Sequence, residues 1–169
     1  MRPLLVGILL AACTSSALAD HERHTDEDGK FAVVFPGKPK STAKTTNSAV
    51  GQLKVHVATY ASSDGSTFMV SYTDFRPEAT KPNNLDTLFE GIRDGVKGSD
   101  GKMVGEEKSI KFGPGKLPGR EFTVDKGKQR IRYRVVVRDS RVYQIAAIGS
   151  QEFTSASETT EFFESFELK

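Results

Sequence analysis

Two imidazoles and several carboxylates fall close together near the start of the chain. Residues 20–29 read DHERHTDEDG, which places His21 and His24 among acidic side chains. Imidazole and carboxylate groups are ligands for zinc and copper. The spacing matches no recognised metal motif, and Arg23 lies between the two histidines. We therefore predict no dedicated metal site and keep His21 and His24 as weak candidates, with metal handling as an alternative function.

Few residues in this sequence could act as a catalytic nucleophile or as its base. The chain contains one cysteine, Cys13, and three histidines. His56 is isolated on a predicted strand, and the spacing identifies no nucleophile or orienting carboxylate for it. The carboxylates are too scattered to name an acid and base pair. We predict that the protein is not an enzyme. The alternative is a secreted or periplasmic hydrolase whose side chains converge from distant strands.

Two glycine-containing segments have some likeness to phosphate-binding loops. Residues 37–42 read GKPKST, without the Walker spacing, and Pro39 stands where a helix should start. Residues 113–119 read GPGKLPG, which is not the dinucleotide fingerprint, and its two prolines lack the backbone donors that hold a phosphate. We interpret both segments as turns and predict no cofactor.

A run of cations along one predicted strand has the widest functional implication. At the strand period of two residues its basic side chains share one face, while Ile131 and Tyr133 lie on the other. A two-residue turn at Asp139 and Ser140 would add the start of the next strand to the same face. We call this set the basic face. Its candidate contact residues are Lys128, Arg130, Arg132, Arg134, Arg138, Arg141 and Tyr143.

The basic face has two interpretations. It is the solvated side of a half-buried strand whose charges pair with neighbouring acids, or it is a contact surface for anionic lipid headgroups, a wall polymer or an acidic protein patch. Overall charge does not decide between them, because the 169-residue chain has a formal net charge of only +2. That balance predicts no nucleic-acid partner.

The N-terminus has the order of regions found in secretory signals. The chain begins with MRP, continues with a nine-residue apolar run and reaches ALA at residues 17–19. A membrane-spanning helix needs about 20 apolar residues, so this run is too short to be one. We predict a signal peptide at residues 1–19, export to the periplasm or the exterior, and no transmembrane span in the mature chain.

The sequence LAAC at residues 10–13 keeps a second form of export open. It resembles a bacterial lipobox, in which the cysteine is lipidated and becomes the new N-terminus. The signal would then comprise residues 1–12. Lipidated Cys13 would anchor the protein at a membrane surface through its acyl chains.

The mature chain divides into a polar segment and one domain. Residues 20–29 contain no aliphatic or aromatic side chain, so we predict a disordered acidic tether that includes the two histidines. Residues 30–169 are predicted to form a single α+β domain, an antiparallel sheet of about six to eight strands flanked by two main helices. Short turns between consecutive strands favour the antiparallel arrangement.

Turn residues and hydrophobic alternation locate the strands. Asp64 and Gly65 are typical of a hairpin turn, and Asp139 with Ser140 marks a second one. The weakest pattern is that of residues 102–112. The predicted strands span residues 31–35, 52–60, 67–75, 102–112, 120–125, 128–138 and 141–149.

Two helices are predicted from periodicity and capping residues. Asn84 would cap the first, whose apolar residues form one stripe and which Gly98 ends. Ser155 and Glu158 form a capping box that would open the second. The residues that this last helix should bury are Phe162, Phe163 and Phe166.

Five short motifs are similar to those of a known group of proteins. They are KFAVVFPGKP from residue 30, YTDF from residue 72, PGRE from residue 118, RVYQ from residue 141 and FFESF from residue 162. They resemble small exported bacterial proteins of unassigned function with the PsbP-like fold, a sheet flanked by helices. That fold class includes an extrinsic photosystem II subunit, a Ran-binding protein and bacterial envelope lipoproteins. The resemblance implies a binding or assembly role and transfers no functional residue.

The function predicted from the sequence is an exported, non-enzymatic binding or assembly module of the bacterial cell envelope. Its partner would be an unidentified protein or an anionic envelope component, contacted through the basic face. A membrane surface becomes a partner only if Cys13 is lipidated.

Overall fold

Two antiparallel sheets and three helices make up the fold. The computed structural model describes residues 21–48 and 51–169. In chain order the elements are β1 (Glu22–Asp26), β2 (Phe31–Phe35), β3 (Lys40–Ser48), β4 (Gly51–Ala61), β5 (Thr67–Asp74), two 3-10 turns (Pro77–Thr80 and Pro82–Asn84), α1 (Leu85–Lys97), β6 (Lys102–Met103), β7 (Lys108–Phe112), β8 (Leu117–Lys126), β9 (Gln129–Arg138), β10 (Arg141–Gly149), α2 (Gln151–Ser155), α3 (Ser157–Ser165) and β11 (Glu167–Leu168).

The large sheet has eight strands in the order β3-β4-β5-β10-β9-β8-β6, with β7 also paired to β8. The small sheet has the order β1-β2-β11. Every strand pair is antiparallel. This architecture confirms the predicted α+β class.

Both predicted hairpin turns are present. Strands β4 and β5 meet across a turn in which Gly65 has a φ of +86° and Asp64 Oδ1 accepts from the Ser66 amide at 2.9 Å. Between β9 and β10, Arg138 pairs directly with Arg141, so the turn has two residues. The registers of both hairpins therefore follow from local turn chemistry.

Helix α1 begins and ends where the sequence predicts, although its cap differs. Gly98 ends the helix with a φ of +62°, and Phe89 is the fully buried residue of the apolar stripe. Asn84 occupies the N-cap position but does not cap; its side-chain amide donates instead to the Glu78 carbonyl at 2.8 Å.

The predicted capping box at Ser155 and Glu158 is wrong. Ser155 is the last residue of the short helix α2, which is capped by Ser150 through a hydrogen bond from the Phe153 amide. The chain then turns at Ala156 and starts α3. The three phenylalanines that the final helix was predicted to bury are all buried.

The predicted disorder of residues 20–29 is also wrong where the structure describes them. Residues 22–26 form β1 along the buried strand β2, with His24 opposite Val33. Asp26 accepts a hydrogen bond from the Gly29 amide at 2.6 Å, which closes the turn into β2. A strand can be held by backbone pairing with a buried neighbour, so its own lack of apolar residues is a poor guide.

Three further boundaries differ from the sequence analysis. Residues 37–42 are not simply a turn, because β3 starts at Lys40 and runs along the edge of the large sheet. Strand β8 starts at Leu117, inside the predicted loop of residues 113–119. The predicted strand over residues 102–112 is two strands, β6 and β7, which both pair with β8.

Each side of the large sheet has its own core. One lies between the large sheet, the small sheet and α3, and the other lies between the large sheet and α1. Side chains of β9 and β10 alternate between the two cores, so both central strands are covered on both faces. Fully buried members of the first core include Phe31, Phe35, Phe68, Tyr143, Ile145 and Phe163.

Candidate functional site

The basic face has the predicted period, but it lies against other parts of the protein. Its arginines share a side of β9 with Val136, which is fully buried in the core that includes α3. Tyr133 and Val135 belong to the opposite core, next to α1. The basic face is therefore set into a packed side of the sheet.

Two of its arginines form ion pairs across the sheet with β8. Arg130 donates from Nε and Nη2 to the carboxylate of Asp125 at 2.6 and 2.8 Å. Arg134 lies opposite Glu121 and donates to its Oε1 at 2.5 Å. The arginine side chains are 18% and 13% exposed. These pairs neutralise the cations where they lie.

Two arginines fix α3 to the sheet. Arg134 Nη1 donates to the Phe163 carbonyl at 2.6 Å. Arg132 donates to Thr160 Oγ1 at 3.0 Å, and its guanidinium lies 4.7 Å from the centre of the Phe163 ring. A guanidinium at that distance from an aromatic face is attracted by the ring quadrupole.

The first residues of β10 hold the turn between β1 and β2. Arg141 donates to both carboxylate oxygens of Asp74 at 2.6 and 2.8 Å, and its third nitrogen donates to the Asp28 carbonyl at 2.6 Å. The buried hydroxyl of Tyr143 donates to the Gly29 carbonyl at 2.8 Å. Two members of the basic face thus attach the small sheet to the large sheet by hydrogen bonds.

Charge and burial change the ionisation of this cluster. The hydrogen bond from Arg141 holds the pKa of Asp74 below its usual value and raises the pKa of Arg141 in return. Burial raises the pKa of Tyr143, against the opposing effect of Arg141. Arg141 also lies 4.7 Å from the centre of the Tyr72 ring. The cluster is a permanent ion pair at neutral pH.

The remaining two candidates are less enclosed. Arg138 donates to the carbonyl of Lys169 at 2.6 Å. Lys128 lies in the exposed turn before β9 and forms no ion pair within the part of the chain that the structure describes. Lys128 is therefore the member of the basic face with the most open surroundings.

The two N-terminal histidines do not converge. His21 borders a shallow recess beside Val34, whereas His24 packs against Phe31 and Phe35 with ring centres 6.0 Å apart in both contacts. Within residues 21–48 and 51–169, no three His, Cys, Asp or Glu side chains are grouped to hold a metal ion. The weak metal candidates are thus placed in separate surroundings.

His56 is held in the sheet by an aromatic contact. Its ring stacks on Tyr72, with centres 4.6 Å apart and planes 11° apart. The two residues are also cross-strand partners in β4 and β5. This geometry makes His56 part of the sheet packing.

The predicted signal peptide and Cys13 lie outside the described residues. Among the described residues, no helix is long and apolar enough to cross a membrane. The lipidated and soluble alternatives both stay as predictions.

A groove beside α1 was not predicted from the sequence. It has a volume of about 660 Å³ and is lined by Phe75, Ala79, Leu88 and Ile92, together with Gly91 of the same helix and several polar residues. The volume falls within the range of ligand-binding pockets. The sequence feature that could have indicated this groove is the pair of glycines, at residues 91 and 95, inside a helix.

A second missed feature is the β3–β4 hairpin at the edge of the large sheet, whose charged side chains are all cationic. Residues 37–63 contain four lysines and no aspartate or glutamate. Most of these residues belong to β3 and β4, and β4 residues 51–54 pair with β3 but not with β5. We call strands β3 and β4, with Lys38 and Pro39 just before β3, the cationic hairpin. Its lysines are Lys38, Lys40, Lys44 and Lys54.

Comparison with known proteins identifies the fold only. No family profile and no curated protein matches the sequence. The solution structure of cyanobacterial PsbP (CyanoP) from Synechocystis sp. PCC 6803 matches with a TM-score of 0.59 and 10% identity, over 95% of this chain and 99% of that one.

A crystal structure of the protein PA94 from Pseudomonas aeruginosa, described as of unknown function and a putative regulator, also matches. Its TM-score is 0.41 at 9% identity, over 83% of this chain and 90% of that one. The agreement with CyanoP extends over nearly the full length of both chains. This chain therefore has a PsbP-like fold.

Proposed function

We propose that this protein is an exported, non-enzymatic binding or assembly module of the bacterial cell envelope. The observation that supports it most is the PsbP-like fold, which the chain has over 95% of its length. The resemblance of its motifs to exported proteins of that fold class points to the same role. A fold alone does not define a function, so the function must also be argued from the surface residues.

Export is proposed from the first residues of the sequence. Their order of basic start, apolar run and ALA site is that of a secretory signal. Cleavage after Ala19 would release a soluble protein that begins at Asp20. Lipidation of Cys13 would instead keep the same domain at a membrane surface.

The arginines of the basic face contribute to this function mainly by stabilising the fold. Arg130, Arg134 and Arg141 each pair with a carboxylate of the same chain. We therefore propose that Arg130 holds β9 to β8, while Arg134 and Arg141 hold α3 and the small sheet in place. A direct role in contacting an anionic component stays a proposal for Lys128 and Arg132, which have no carboxylate partner among the described residues.

The experiment for export is intact mass measured on cell fractions. The full chain is expressed in a bacterial host, and wild type is compared with Cys13→Ala in the periplasmic, membrane and cytoplasmic fractions. A soluble periplasmic species that begins at Asp20 in both proteins supports the released form. A lipidated species that begins at Cys13, and that leaves the membrane in Cys13→Ala, supports the anchored form.

One result would overturn export altogether. If the protein stays in the cytoplasm with a mass that begins at Met1, residues 1–19 are not a signal, and the envelope role fails with it.

A further inference from the structure

We propose that the groove beside α1 binds an acidic amphipathic segment of another protein. Apolar side chains of that segment would enter the groove, and its carboxylates would face the cationic hairpin. The inference rests on the proposed binding function and assigns it a surface and a class of partner.

The groove is an apolar surface that the chain leaves open. Phe75, Leu88 and Ile92 are only partly buried, although all three pack against the core under α1. On the same side of the sheet, Val55 and Val57 of β4 are also half-buried. An apolar surface with polar rims is typical of an interaction site.

Two glycines in α1 lack an internal reason. A Cβ added at Gly91 or at Gly95 would meet no atom within 4 Å. Glycine in a helix interior is less favourable than alanine, so neither residue is explained by packing within this chain. Gly91 borders the groove and Gly95 does not. A partner backbone that approaches α1 closely would explain why Gly91 has no side chain.

The charge beside the groove favours an anionic partner. Lys44 is on the same rung of the sheet as Val55 and Thr73, so it lies two strand spacings, roughly 10 Å, from β5. Arg76 lines the groove, and its Nη2 is 3.2 Å from where a Cβ on Gly51 would be. Arg76 therefore connects the groove with the cationic hairpin.

The hairpin cations on this side of the sheet, and Arg76, are not neutralised by ion pairs among the described residues. No ion pair is formed by Lys40, Lys44 or Arg76 within residues 21–48 and 51–169. The acidic residue that lines the groove is Glu78, in the first 3-10 turn. The partner's carboxylates should thus face the hairpin and not this turn.

The length of α1 is suitable for packing against one short partner helix. Helix α1 has 13 residues, and such a helix is about 20 Å long. A partner helix of about 14 residues would cover it. Grooves usually bind such a helix through apolar side chains that recur at helical spacing on one of its faces.

The test measures binding of two designed peptides by fluorescence anisotropy. Both are fluorescein-labelled amphipathic helices of about 14 residues with leucine on one face. One carries glutamate on its polar face and the other carries lysine. We expect wild type to bind the glutamate peptide at least about tenfold more tightly than the lysine peptide.

Matched variants locate the contact. Gly91→Leu places a side chain in the groove and should weaken glutamate-peptide binding by about tenfold or more. Gly115→Leu makes the same change in an exposed loop outside the groove, where a Cβ makes only ordinary van der Waals contact, and should bind like wild type. The double variant Lys40→Glu, Lys44→Glu should lose the preference for glutamate, whereas Lys102→Glu, Lys111→Glu should keep it. Circular dichroism and thermal unfolding check that each variant is folded.

Several outcomes would overturn the inference. Equal binding of the two peptides, no binding of either, or equal effects of the two glycine variants would each do so. A wild-type dimer in sedimentation that Gly91→Leu dissociates would assign the groove to a second copy. Binding to phosphatidylglycerol vesicles that Gly91→Leu abolishes, without peptide binding, would assign it to a lipid surface.

Failure of this inference is distinguishable from failure of the proposed function. Export and processing are read from mass and fractionation and do not depend on the groove. A protein that is exported and processed but binds neither peptide would keep its envelope role and lose this surface.

Discussion

Among the single residues of the basic face, Arg134 has the most contacts with other elements. It connects β9 with Glu121 on β8 and with the Phe163 carbonyl on α3. Arg134→Met would leave a partly buried carboxylate and a carbonyl without their donor. We expect the free energy of unfolding, measured in urea, to fall by about 2–3 kcal/mol.

Lys128→Met is the matched control from the same predicted face. Lys128 is exposed in a turn, so its removal should change the free energy of unfolding by less than about 0.5 kcal/mol. If both substitutions lowered the free energy of unfolding equally, the stabilising role of the arginines would be contradicted.

Asp74 makes stability depend on pH in a defined direction. Because Arg141 lowers the pKa of Asp74 in the folded protein, the ionised carboxylate stabilises the fold above its unfolded pKa of about 4. This contribution is lost as pH falls through the lowered folded value. Asp74→Asn should therefore be less stable than wild type at neutral pH, and the difference should shrink below about pH 4.

Thermal unfolding of both proteins across that pH range is the measurement. Glu152→Gln, an exposed carboxylate in the first turn of α2, controls for the loss of one acidic group. A gap between wild type and Asp74→Asn that is constant down to the acid range would refute the role of the ion pair.

Residue types and spacing predicted the alternation of β9 but not its partners. A period of two assigns Arg130, Arg132 and Arg134 to one face, and the structure has them there. Which carboxylate lies opposite each arginine depends on the register of β8, which residues of β9 do not encode. Glu121 and Asp125 could be assigned as partners only after the sheet order was known.

Among the elements, β1 depends on contacts made by β10. The turn that joins β1 to β2 receives hydrogen bonds from Arg141 and from Tyr143. Arg141→Met removes the first of these together with the pair to Asp74. We expect amide hydrogen exchange in Glu22–Asp26 to become at least about tenfold faster, while exchange in the centre of β10 stays slow.

Tyr143→Phe is a second variant for the same element. It removes one hydroxyl and keeps the ring packed against Phe31 and Phe166. It should accelerate exchange in β1 less than Arg141→Met does. Unchanged exchange of β1 in both variants would show that pairing with β2 alone holds the strand.

Elements with strong local signals were predictable, and elements that depend on neighbours were not. Helix α1 and the β4–β5 hairpin follow from an apolar stripe and an Asp-Gly turn. Strands β1 and β3 are polar, and each is held by one antiparallel neighbour. No local pattern distinguishes such a strand from a polar loop, because its stability comes from a partner distant in sequence or across a turn.

For the whole molecule, the fold could be predicted from the sequence and the groove beside α1 could not. The order of elements and the short motifs identified a PsbP-like architecture, which the structure confirms. The groove forms where Phe75, after β5, meets one side of α1. Its existence depends on the placement of α1 over the sheet, which composition does not specify.

Site-specific photo-crosslinking of the exported protein in its native cells tests whether the groove beside α1 binds another protein. A photoreactive residue replaces Thr87, which borders the groove, or Lys111, which is exposed on β7 and outside the groove. We expect one discrete product from position 87, joined to an acidic segment of another protein, and none from position 111. A folded, exported protein that gives no discrete product at either position, or a product only at position 111, would contradict the proposed groove contact.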